Sequence, residues 1–389
     1  MILIKNAHIL TMDAELNEIE NGFIAVTDGK ISAVGTMADM PVGDFDTVLD
    51  TKGAIVTPGL IDAHSHIGMW EDSLNFEGAD GNEETDPITP HLRAIDAVNP
   101  MDKAFSEAAA AGITTVVTGP GSANPIAGQL MAMKTVGFCV DKMAVLSPAA
   151  IKFAFGENPK CVYNDKGQTP TTRMAVAAQI REELYKAKEY LGHIEKYNSG
   201  DEDDMPDFDI KHEALLPLLK KEIPMHAHAH RADDIFTAIR IAREFELDLV
   251  LVHATEGYMI ADELKENGYP VLAGPILTDR SKPELKNQNE ANAALLTKAG
   301  IETAIITDHP ETPQKHLALC ALVAARYGLS KAEALRSITY LPAKICGIAD
   351  SVGHITVGCD ADIVVWNGFP LDIDATPSAV MVDGCFLTI

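Results

Sequence analysis

Between residues 58 and 345 short apolar runs alternate with longer amphipathic stretches, and this repetition restricts the fold more than any other property of the chain. The runs GITTVVTG, AAIKFAFG, EIPMHAHAH, LDLVLVHA, YPVLAGPIL and IETAIITD each precede helical pattern such as DDIFTAIRIAREFE or QKHLALCALVAARYG. Repeated β-then-α units place strands parallel in one sheet, and about eight of them close a barrel. GLIDAHSH and QLMAMKTVG bring the number of strands to eight, with the fourth and seventh units the least clear. Thr172 to Tyr197 spaces Met174, Ala177, Arg181, Leu184, Ala187, Leu191 and Ile194 by threes and fours, which predicts a long helix.

Both ends of the chain read differently. Residues 1–57 and 346–389 hold short β-rich segments separated by Gly, Asp and Pro, with no helical period. The expected architecture is therefore an α/β fold: a (β/α)8 TIM barrel over 58–345 and a small β-sandwich domain built from both termini.

Composition narrows the partners. With 31 basic against 57 acidic residues the net charge is −26, and no stretch clusters Lys and Arg. Nucleic acid and anionic membrane surfaces are thus unexpected partners. No apolar run reaches the roughly 18 residues of a membrane span, and the first residues are too polar for a signal-peptide core. A cytoplasmic protein is expected, with a small-molecule substrate and a homo-oligomeric state. The six scattered cysteines form no CxxC pair and are expected to be buried, inert thiols.

The chemistry lies in the histidines. His64 and His66 close the first barrel strand at i, i+2 and share a face, although about 0.4 such pairs arise by chance from this composition. His226, His228 and His230 then align on one face of a later strand, which chance explains poorly and burial without partners would penalise. His253 ends the next strand and Asp308 the last. Active sites of barrels form where strands end at the C-terminal face. Imidazoles and a carboxylate converging there suit Zn²⁺ or a similar divalent ion, with Asp308 as general base.

Val56-Thr57-Pro58-Gly59-Leu60-Ile61-Asp62-Ala63-His64-Ser65-His66, with Gly29 to Gly35, the late TDHP and the tail GHITVGCDADIVVW, resembles the amidohydrolase superfamily over nearly the whole chain. The nearest likeness is to its imidazolonepropionase-like and prolidase-like branches. This resemblance implies His64, His66, His228, His253 and Asp308 as metal ligands. Within the triple, His228 is the ligand if HAHRADDI matches the prolidase-like strand, with His230 facing substrate. If His230-Arg231-Ala232-Asp233 instead matches the HxxE of mononuclear deaminases, His230 binds metal and Asp233 shuttles protons.

The fourth strand decides between one metal and two. Lys152 resembles the carboxylated lysine that bridges two ions in many members. Glu157 in a Gly-Glu-Asn-Pro segment is the other candidate bridge, and Lys134 a third. Arg280 and Lys282 follow the seventh strand, where a basic group can meet a substrate carboxylate. The expected activity is metal-dependent hydrolysis of a C–N bond, in a cyclic amide or the amide of a small peptide or acylated amino acid. The rivals are a heterocycle deaminase and a non-catalytic assembly protein of the same fold.

Overall fold

A computed structural model describes residues 1–71 and 74–387. Sixteen strands among them form two sheets. The first holds β1 (Ile2–Leu10), β2 (Glu18–Thr27), β3 (Lys30–Thr36), β4 (Thr47–Asp50), β5 (Ile55–Pro58) and, from the other terminus, β14 (Ile363–Trp366), β15 (Pro377–Val382) and β16 (Cys385–Phe386). Its centre is β5, which lies between β1 and β14 and so joins the two ends of the chain. Both ends supply its core, with Ile4, Ile9, Ile24 and Val56 packed in one cluster with Ile363 and Met381.

The second sheet runs in sequence order: β6 (Leu60–Ser65), β7 (Ile113–Thr118), β8 (Ile126–Lys134), β9 (Ala144–Ala154), β10 (Met225–Ala229), β11 (Leu249–His253), β12 (Val271–Ala273) and β13 (Thr303–Ile305). The seam between β6 and β13 has no strand ladder. It closes through Ile61 N–H to Ile338 O at 2.8 Å, Asp308 N–H to His64 O at 3.2 Å and His66 N–H to His309 O at 2.8 Å. Asp62 reinforces it: Thr307 Oγ1 and Gln314 Nε2 donate to its carboxylate across the seam at 2.5 and 2.8 Å. Burial pushes this carboxyl up to about 7, against those donated hydrogen bonds.

The expected eight-stranded α/β barrel is therefore present, but the third strand runs the other way. β8 pairs antiparallel with both β7 and β9. Residues 119–125 between β7 and β8 are too few for the dozen or so a parallel crossover needs. The long helix spans Arg173–Ser199 and is capped by the Thr172 hydroxyl. Its buried face runs through Val176, Ile180, Glu183, Ala187 and Tyr190 rather than through Met174, which is exposed. The thiols also depart from expectation: Cys320, Cys346 and Cys359 are buried, but Cys161 and Cys385 are exposed and Cys139 is half-buried. Their short side chains follow the solvent exposure of the segments that carry them. No helix among the described residues is long and apolar enough to cross a membrane.

Candidate metal centre

Parallel strands of similar length end at one face, so residues at successive strand ends meet there. His64 and His66 leave β6, Lys152 is near the end of β9, His228 is in β10, and His253 closes β11. Asp308 follows β13 by three residues. The backbone at two of these positions is held in the left-handed region, with φ of +71° at His253 and +54° at Asp308. Such strain in non-glycine residues collects at functional sites, where the surrounding fold fixes the side-chain direction.

Two groups of donors form. In the first, Asp308 Oδ1 lies 3.5 Å from His64 Nε2 and 3.4 Å from His66 Nε2. In the second, His228, His230 and His253 bring ring nitrogens within 4.8 Å of one another. His253 touches both, since its Nε2 is 4.0 Å from Asp308 Oδ2. Ring hydrogen bonds orient these imidazoles. His66 Nδ1 meets Gly119 O and His253 Nδ1 meets Gly274 O, each at 2.7 Å, so Nδ1 carries the proton and Nε2 presents its lone pair inward. His230 Nδ1 pairs with Thr255 Oγ1 at 2.7 Å.

Electrostatics favours the lone-pair form. Burial, followed by neighbouring cations and imidazoles, drives His64, His228 and His230 well below the ordinary histidine value. Burial brings His253 down to about 4 against the pull of Asp308. Burial alone would raise Asp308, yet His253 and His66 hold it down at about 2, so the carboxylate is ionised. Lys152 is fully buried, with Nζ 2.7 Å from His64 Nε2, and burial pushes it down to about 7.

His226 shares the inward face of β10 and pairs across strands with Lys152. Neither of its ring nitrogens has a hydrogen-bond partner, and burial holds it at about 3.

Above the histidines opens a cavity of about 420 Å³, lined in part by Trp70, Asn82, Ser122, Asn158, Lys282 and Asp308. Gly121 and Ser122, in the segment between β7 and β8, form one wall.

Other residues singled out by sequence lie elsewhere. Lys134 is turned toward the terminal sheet, where its ammonium meets Asp360, Asp362 and Asp383 at 2.8–3.0 Å. Three carboxylates fix it as a cation, which removes it as a carbamate candidate. Glu157 starts a helix and exchanges backbone-to-carboxylate hydrogen bonds with Glu284 at 3.0 and 3.1 Å, outside both donor groups. Arg280 is exposed and donates to Gln288 O, so Lys282 rather than Arg280 reaches the cavity. Asp233 is exposed and ion-paired with Arg231 at 2.9 Å.

Glu284 is the residue the sequence did not reveal. Its side chain is 1% exposed and lies beside His228 and His230. Ser281-Lys282-Pro283-Glu284 has the composition of a solvated turn, and nothing in its spacing points inward.

With this geometry in place, comparison with known proteins is informative. The Amidohydrolase family model matches residues 55–388. The chain belongs to the amidohydrolase family. A solved amidohydrolase structure from Thermotoga maritima MSB8 superposes with a TM-score of 0.93 at 42% identity, covering 100% of this chain and 99% of that one. Amidohydrolase tasK of Hapsidospora irregularis is 29% identical over 94% of this chain, which spans 39% of that protein's length. Imidazolonepropionase of Paracoccus denitrificans (strain Pd 1222) is 26% identical over 94% of both chains. A prolidase structure complexed with N-methylphosphonate-L-proline shares the fold at 18% identity, with a TM-score of 0.59 over 99% of each chain. The superfamily expected for this chain is thus confirmed, and an imidazolonepropionase is among its full-length relatives.

Proposed function

We propose that this amidohydrolase cleaves a C–N bond in a small cyclic amide or acylated amino acid, using a divalent-metal centre at the barrel mouth. The carrying observation is the convergence of His64, His66, His228, His253 and Asp308 on one buried floor beneath the cavity. The donor set fits a zinc-type ion: buried neutral imidazoles, with Nδ1 engaged and Nε2 directed inward in His66 and His253, beside an ionised carboxylate. His64, His66 and Asp308 would hold one ion, and His228 and His253 a second. A bound ion supplies Lewis acidity toward a substrate carbonyl and makes water easier to deprotonate.

The chain's own groups account for the rest. Asp308 Oδ1 and Oδ2 face both histidine groups, so its carboxylate can take a proton from the attacking water and return it to the leaving nitrogen. Lys282, at the cavity wall with Asn158 Oδ1 3.1 Å away, offers a cation for a substrate carboxylate. Trp70 packs edge-on to His66 with ring centroids 4.9 Å apart and closes one side against water.

Lys152 would bridge the two ions as its CO₂ adduct. A buried primary amine beside His64 is a nucleophile for CO₂: the N–C bond forms, a proton leaves, and an anionic oxygen donor results. Lys152→Ala is expected to lower both ion content and kcat/KM, the latter by about 10- to 100-fold. Elemental analysis of protein grown with and without bicarbonate checks this. Unchanged ion content in the variant would reduce Lys152 to a neighbour of His64.

The function itself is tested by screening lactams, N-acyl amino acids and dipeptides on protein purified without chelators. Hydrolysis that stops on chelation and returns with Zn²⁺ is the expected result, and ammonia release from a heterocycle would instead indicate a deaminase. The exposed, Arg231-paired Asp233 argues against that second chemistry, because it leaves the deaminase reading without its proton shuttle.

A further inference from the structure

We propose that Glu284 and His230 complete the second metal site, so that a divalent ion of the zinc class is held there by His228, His230, His253 and Glu284 beside the Lys152 bridge. The inference rests on the reading of the barrel mouth as a metal centre, and adds two ligands to it.

The geometry begins with the carboxylate. Glu284 Oε2 accepts from Glu157 N–H at 3.0 Å, while Glu284 N–H donates to Glu157 Oε2 at 3.1 Å, so the side chain is clamped from one side. Gly156, at a φ of +85°, lets the backbone pass close by; a Cβ there would lie 2.9 Å from Oε2. The clamp leaves Oε1 facing the histidines, 3.6 Å from His230 Nε2 and 3.8 Å from His228 Nε2. Ligand atoms on a tetrahedral zinc ion stand roughly 3.3 Å apart, given bonds of about 2.0 to 2.1 Å. The separations of Oε1 from His230 and His228 are therefore within about half an ångström of a coordination shell.

Burial adds a second reason. Oε1 is buried. Its one cation is Lys282, whose Nζ lies 2.9 Å away on a stem that is 27% exposed. An ammonium therefore occupies the neighbourhood that three neutral imidazoles and a carboxylate offer to a cation. Lys282 can withdraw toward the open cavity, whereas the clamped carboxylate cannot follow it. His230 Nδ1 is engaged by Thr255, which leaves Nε2 for an ion, as in His66 and His253.

The test is metal content by elemental analysis after dialysis against a weak chelator, with the visible absorption of the Co²⁺-loaded protein as a second readout. Wild type is expected to keep two ions per chain, and Glu284→Gln and His230→Ala one each, with a changed Co²⁺ spectrum. The double variant Lys282→Met with Glu284→Gln separates ligand from counter-ion. A ligand role leaves the double variant as depleted as Glu284→Gln alone; restoration of the second ion would assign Glu284 to neutralising Lys282 and overturn the proposal. Glu284→Gln with wild-type ion content and spectrum would overturn it too, while leaving the metal centre standing. Wild type devoid of metal would remove both readings.

Discussion

Asp308→Asn is expected to lower kcat by about 10³-fold or more on any amide the enzyme accepts, since the general-base role proposed for Asp308 would alone contribute about 10²–10⁴ and its proposed metal contact would weaken as well. The carboxylate lies 3.4–4.0 Å from His66, His64 and His253, so the change removes the one anion facing all three. Asn preserves volume and tolerates the left-handed backbone at φ +54°, which keeps the fold intact. Circular dichroism and thermal melting should therefore match wild type, with the loss confined to turnover and ion affinity. Residual activity within tenfold of wild type would remove Asp308 as the base.

The second large effect concerns stability. Lys134→Met is expected to cost about 3–5 kcal/mol, the range for removing one partner of a buried ion pair. Lys134 ends barrel strand β8 with a side chain 6% exposed, and all three of its carboxylates belong to the terminal sheet or its turns. Asp362 is buried and Asp360 only half-buried; Asp383 is exposed enough for water to screen it. Methionine would leave the Asp362 carboxylate buried without its cation, while Asp360 keeps Lys30. Chaotrope unfolding, or a thermal inactivation rate if unfolding is irreversible, measures the loss. Ion content should be unchanged. A variant as stable as wild type would show that the pairs merely offset their own desolvation.

These two residues illustrate what was readable in advance. Asp308 stood out because it ends an apolar run that reads as a strand, and the fold forces strand ends to one face. Lys134 also sits at a strand end, yet β8 runs in reverse, so its C-terminal end faces the terminal sheet. Reading every barrel strand as parallel placed it wrongly as a bridge candidate. The acidic segment Asp360-Ala361-Asp362 was legible as a motif, but its task of holding Lys134 across two sheets was not. Glu157 and Arg280 depart for a related reason: Glu157 opens a helix just after a turn and Arg280 lies in a loop, where no strand periodicity fixes the direction of a side chain. Glu284 is the converse case, a loop carboxylate turned inward by a reciprocal pair with Glu157.

The sequence by itself determined the barrel, the composite terminal sheet and the placement of histidines at the ends of β6, β10 and β11 and of an aspartate just after β13. Those features follow from periodicity and strand-end position, which are local properties of the chain. Only the tertiary structure decided the direction of β8, the burial of Lys152 against His64, the withdrawal of Lys134 into an inter-sheet cluster and the arrival of Glu284 beside His228 and His230. Each of these depends on groups far apart in sequence, and their free energies come from burial and charge pairing that exist only once the chain has closed.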